Sequence, residues 1–142
     1  MVRRMLRTTL ILALFATPAL ADTACPKAVT DGVAKAFPKS KIDRCHSEHE
    51  DGKDIFEAKI TRADGTKAEV DVSPDGSILQ LEEKIAVDKL PDTVKKAFAA
   101  RYPKAKAERA EKQTAGKTVT YEIAFGETEA TFASDGRFIE EE

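Results

Sequence analysis

The sequence contains no tryptophan, only two tyrosines, two histidines and two cysteines, and no apolar stretch of the roughly 20 residues that a membrane-spanning helix needs. Each scarcity excludes something. No stable membrane anchor is expected in the mature chain. His46 and His49 are the only imidazoles, and there is no G-x-S-x-G, no H-E-x-x-H and no glycine-rich phosphate loop. Nucleophilic, zinc-protease and nucleotide chemistry therefore have no motif to rest on. Cys25 and Cys45 are too far apart for a C-x-x-C redox pair. The terminal run Glu140-Glu141-Glu142 reads as a solvated tail rather than an acid/base dyad. An enzyme is not expected, and neither is a cofactor.

At the N-terminus, Arg3, Arg4 and Arg7 precede the short apolar run Leu10–Ala16, and Ala19-Leu20-Ala21 has the A-x-A form of a cleavage site. Residues 1–21 read as a Sec-type signal peptide, which predicts a periplasmic or secreted protein. Asp22-Thr23-Ala24 before Cys25 does not suit a lipidation site. Of 23 basic residues, three leave with the signal; the remainder against 25 acidic residues give the mature chain a net charge near −5. This balance disfavours nucleic acid and anionic membranes as partners.

What is present is a repeat. Pro26, Val29, Val33, Phe37 and Pro38 recur, 65 residues later, as Pro91, Val94, Phe98, Tyr102 and Pro103. A period this long indicates two copies of one supersecondary unit. In each copy the apolar residues fall at i, i+4 and i+8, the single stripe of a one-faced helix. The first proline suits position N1, and the second ends the helix by biasing its predecessor away from the α region. Period-2 alternation follows in Phe56-Ala58-Ile60, Ala68-Val70-Val72, Val119-Tyr121-Ile123-Phe125 and Ala130-Phe132. Asp51-Gly52, Asp64-Gly65, Asp75-Gly76 and Asp135-Gly136 supply turns. The predicted fold is α+β: two tandem repeats over 22–83 and 91–142, each a helix on a four-stranded antiparallel β-meander, joined by a linker at 84–90. The offset falls to 60 between Asp75 and Asp135, so the second copy is shorter near Arg62–Lys67.

The pattern Leu90-Pro91-x-x-Val94-Lys95-x-Ala97-Phe98, Tyr102-Pro103-x-Ala105-Lys106, Tyr121-Glu122-Ile123 and Asp135-Gly136-Arg137-Phe138 resembles the PepSY-like domains of secreted bacterial proteins. The first copy matches through Val29, Phe37-Pro38-Lys39-Ser40-Lys41, Phe56-Glu57-Ala58 and Asp75-Gly76. The resemblance implies a tandem helix-on-sheet fold of the β-lactamase-inhibitor-protein type and a role in modulating or inhibiting an exported enzyme such as a protease. That inhibitor binds through an aromatic-rich concave sheet. Here tryptophan is absent and Tyr102 and Tyr121 take core positions, so β-lactamase itself is not an expected target.

Three groups of residues carry candidate chemistry. Cys25 and Cys45 are expected to form a disulfide, because an exported chain with two cysteines usually pairs them. A helix of about 12 residues and the extended return after Pro38 span similar lengths. The equivalent positions Leu90 and Ala110 are both apolar, as a buried contact requires. Opposite the helices, Glu57, Lys59, Glu69, Asp71, Glu122, Glu127 and Glu129 form a candidate interaction surface for an exported protein partner. Finally, His46, Glu48 and Glu50 share one strand face and offer an imidazole and two carboxylates to a divalent metal. The leading expectation is a periplasmic protein-interaction module; the alternative is a small-ligand or divalent-metal-binding protein.

Overall fold

The computed structural model describes residues 24–142 except Asp51 and the side chain of Glu50; the signal-peptide assignment at 1–21 lies outside the described residues. Helix α1 (Lys27–Ala36) leads into strands β1 (Lys41–Glu50), β2 (Lys53–Thr61), β3 (Lys67–Val72) and β4 (Ile78–Ile85). A 3-10 turn at Val87–Lys89 precedes helix α2 (Asp92–Arg101). Then come β5 (Arg109–Ala115), β6 (Thr118–Phe125), β7 (Thr128–Ala133) and β8 (Phe138–Glu141). The eight strands form one antiparallel sheet in chain order. No helix among the described residues is long and apolar enough to cross a membrane.

Both helices start and stop at their prolines, with one shift in register. Pro26 and Pro91 are N-caps rather than first helical residues: their φ of −55° suits a helix, but ψ of 151° and 145° keeps them extended. Their carbonyls accept the first helical bonds, from the Thr30 and Lys95 amides at 3.0 Å. Phe37 and Tyr102, held out of the α region by the following prolines, close the helices through amides that donate to Val33 and Phe98 at 2.8 Å.

The expected stripes face the sheet. Val29 and Val33 are buried with Ala58, Ile60, Ala68, Val70 and Val72, while Val94 and Phe98 are buried with Leu90, Ala110, Ile123, Ala130 and Phe132. The two cores are chemically different. The first is aliphatic in its buried residues, with Phe37 and Phe56 packed at its margin, and is tied by a disulfide between Cys25 and Cys45, whose Cα atoms are 5.5 Å apart. The second holds an aromatic cluster in which the Phe98 ring lies 5.2 Å from Phe125, 5.5 Å from Tyr102 and 6.4 Å from Phe132. Leu90 and Ala110 sit in this second core, burying apolar surface where the first core has its cystine.

Two close approaches fix how the helices lie. A Cβ on Gly32 would come 2.0 Å from the carbonyl oxygen of Gly76, so α1 touches the β3–β4 turn backbone to backbone. Gly76 itself has φ +90°, a conformation side chains disfavour. Helix α2 meets the β7–β8 turn with more room, carrying Ala97 beside Gly136. There the Thr93 hydroxyl donates to the Ser134 carbonyl at 2.7 Å.

The expected linker differs at its start. Lys84 and Ile85 complete β4 and pair with Glu111 and Ala110 of β5, which makes the sheet continuous. The cause is Ile85, which packs against the second core and thereby draws the end of β4 alongside β5.

Candidate functional site: the open face of the sheet

Strand alternation sends the apolar residues under the helices and leaves a polar face opposite. Its layout follows from register. One row runs Arg44, Lys59, Glu69, Glu82, Gln113 and Thr120 across β1 to β6. A second runs His46, Glu57, Asp71 and Gln80 across β1 to β4. A third runs Lys84, Glu111, Glu122, Thr131 and Glu140 across β4 to β8. Four of these cross-strand neighbours are like-charge pairs: the carboxylates Glu57 with Asp71, Glu69 with Glu82 and Glu111 with Glu122, and the cations Arg44 with Lys59. Directly opposed like charges cost folding free energy.

Cations and amides on this face meet several of its carboxylates, among them Glu82, which accepts the Gln80 amide at 2.7 Å. Lys59 Nζ donates to Glu69 at 3.1 Å and lies 3.8 Å from Glu57. Arg109 donates to Glu129 at 3.2 Å. Glu122 accepts the amide of Gln113 at 3.1 Å, whose own carbonyl accepts from the Thr120 hydroxyl. Burial first, and then the charges of Glu129, Glu111 and Glu82, push Glu122 up to about 7. Glu57 is also raised, by burial and by Glu69, although His46 and Lys59 act against this. Between β3 and β8 the face forms a recess of about 340 Å³ whose walls include Asp71, Glu82, Glu122, Glu129 and Glu140.

Of the candidate surface residues, Glu57, Lys59, Glu69, Asp71, Glu122 and Glu129 lie together on this face. Glu127 does not. It occupies the two-residue β6–β7 turn with Gly126, beyond the last paired residues Phe125 and Thr128, and is exposed at the tip. Sequence reasoning missed Glu82, Glu111, Gln113 and Glu140. Strand β5 reads Arg-Ala-Glu-Lys-Gln-Thr-Ala, with only Ala110 buried, so it carries no apolar alternation. Its register comes from its neighbours.

At the β1 edge, His46 and Glu48 share a face, as expected for alternate residues. The third member of the group is Glu57 of β2, the cross-strand neighbour of His46. His46 Nε2 lies 2.9 Å from Glu48 Oε1 and 3.5 Å from Glu57 Oε1. The side chain of Glu50 is outside the described residues. His49 points elsewhere and pairs, exposed, with Asp54 at 2.8 Å.

No protein-family model matches the sequence, and no curated protein matches it. Solved structures do. A protein from Bacteroides eggerthii assigned to the periplasm matches with a TM-score of 0.68 and 16% identity, over 84% of this chain and 89% of the other. A DUF2874 family protein from Bacteroides ovatus gives 0.67 and 17%, over 84% and 88%. A BLIP-like protein from Bacteroides fragilis gives 0.64 and 16%, over 84% and 86%. Across these distant sequences what is shared is the fold: two helices on one antiparallel eight-stranded sheet, a BLIP-like α+β architecture.

Proposed function

We propose that this chain is an exported, periplasmic protein-interaction module that offers the open face of its sheet to a cationic surface on another exported protein, modulating or inhibiting that partner. The observation that carries the reading is the set of three directly opposed carboxylate pairs, Glu57 with Asp71, Glu69 with Glu82 and Glu111 with Glu122. A face that merely kept the protein in solution would do so at lower cost with interspersed signs. One that holds like charges together lowers its own stability and gains a negative field to which lysine- and arginine-rich surfaces are complementary. The periplasmic assignment of the Bacteroides eggerthii protein and the BLIP-like fold support the compartment and the mode of use. The chain also reads as a PepSY-like tandem duplication, supported by the 65-residue offset of the two helices and by four strands after each.

The test is capture of partners from an extract of exported proteins, with the disulfide-intact chain as bait. Binding is expected to fall steeply as salt rises from low to physiological strength and beyond. Glu82→Gln with Glu111→Gln is expected to weaken capture while raising the melting temperature, since each substitution relieves a like-charge contact. A partner held equally well by this double variant and at high salt would sink the reading.

A further inference from the structure

We propose that His46, Glu48 and Glu57 form a binding site for one divalent transition-metal ion of the Zn²⁺ class at the β1 edge of the open face. The site is not continuous in sequence: it is assembled from adjacent strands, because register sets Glu57 directly opposite His46. Its three donor atoms lie within 4.8 Å of one another. The two separations from His46 Nε2, 2.9 and 3.5 Å, bracket the roughly 3.3 Å edge of a tetrahedron with metal–ligand bonds of about 2.0 Å.

Burial and charge point the same way. His46 is only 8% exposed, so its ring orientation is fixed by packing. Glu48 and Glu57 are partly buried, with side-chain exposures of 25% and 20%, and both turn an oxygen towards the same ring nitrogen. One imidazole proton can be donated along one line only. The second carboxylate is therefore left with the ammonium of Lys59 at 3.8 Å, a group already donating to Glu69. A dication between the three satisfies both carboxylates at once. On binding, the ring carries its single proton on Nδ1, and Nε2 coordinates through its lone pair. A nitrogen donor with two oxygens suits Zn²⁺ and disfavours the all-oxygen preference of Ca²⁺. Three protein ligands leave the solvent side open, where water completes the shell.

The test is a Zn²⁺ titration of the chelator-treated, disulfide-intact chain, followed by imidazole nitrogen resonances and by calorimetry. Zn²⁺ is expected to shift the His46 resonances and leave those of His49 in place, at one ion per chain, while Ca²⁺ leaves His46 unchanged. Glu57→Gln is expected to weaken Zn²⁺ binding at least about tenfold, since even outer partners of a metal site are worth that much. Asp54→Asn, which disturbs only the His49 pair, is expected to bind as the wild type does. His46 resonances that ignore Zn²⁺, or a Glu57→Gln chain that binds it undiminished, would overturn the proposal. Should Glu57→Gln not fold, the wild-type histidine spectrum decides alone. No partner protein enters this test, so its failure leaves the interaction reading of the open face standing.

Discussion

Glu122 shows most directly what the open face costs. Its carboxyl is raised from 4.5 to about 7 by burial and by Glu129, Glu111 and Glu82. A carboxyl whose folded value is raised binds its proton more tightly folded than unfolded. Its contribution to stability is therefore lost as pH rises from about 4.5 to about 7, and the loss is complete above that. Glu122→Gln, which keeps an amide partner in Gln113, is expected to raise the melting temperature at pH 8 and to change it little at pH 4.5. Thermal unfolding of both chains across that range checks the sign, and a variant parallel to wild type at every pH would contradict it. Glu57, raised for related reasons, keeps some slope in the variant. Asp43, Asp64 and Asp75 are lowered by hydrogen bonds from Thr61, Thr66 and Ser73 respectively. They act with the opposite sign and only in acid, below their ordinary value, so the two windows separate. In the core, Phe98 touches Tyr102, Phe125 and Phe132. Phe98→Ala is expected to cost about 3–5 kcal/mol in denaturant unfolding.

At the scale of elements, the helices were legible from sequence because their stripes and prolines obey local rules, and the central strands of the first half because Ala58-x-Ile60 and Ala68-x-Val70-x-Val72 bury every second residue. Strands β4 and β5 were not legible. Glu82-Glu83-Lys84 is polar on both faces and Arg109–Ala115 buries only Ala110, so what fixes them is pairing to neighbours, a non-local fact. The candidate site inherited this limit. His46 and Glu48 could be read off one strand, whereas Glu57 as their third partner depends on the β1–β2 register. Gly32 is another such case: in sequence it is a weak point within a helix, and only the fold shows the Gly76 carbonyl against it. Ala normally gains up to about 1 kcal/mol over Gly in a helix. Here Gly32→Ala is expected to destabilise instead, by about 1–3 kcal/mol, because the added methyl meets backbone that cannot turn aside. Ala97→Gly, at the looser contact of α2, is expected to lose the ordinary helix preference together with its methyl's modest packing on the second core. Urea midpoints of the two variants distinguish these outcomes, and a stabilised Gly32→Ala chain would mean that α1 sits farther from the β3–β4 turn.

For the whole molecule, the question is whether one sheet means one cooperative unit. The β4–β5 seam joins Leu81 to Thr114, Glu83 to Lys112 and Ile85 to Ala110 on the helix side. That is a more polar junction than either core, and the residues of the two cores fall in separate clusters. The disulfide closes a loop only within the first half, between residues 20 positions apart, and contributes about 3 kcal/mol in the chain-entropy model. The second half relies on aromatic packing instead. A polar seam transmits little of that stabilisation, so Cys25→Ala with Cys45→Ala is expected to reduce native-state hydrogen-exchange protection by about 3 kcal/mol in β2 and β3. The amides of β6 and β7 are expected to stay near their wild-type protection. An equal loss in all four strands would show that the continuous ladder couples the halves into a single unfolding unit, and that the seam is stronger than its side chains suggest.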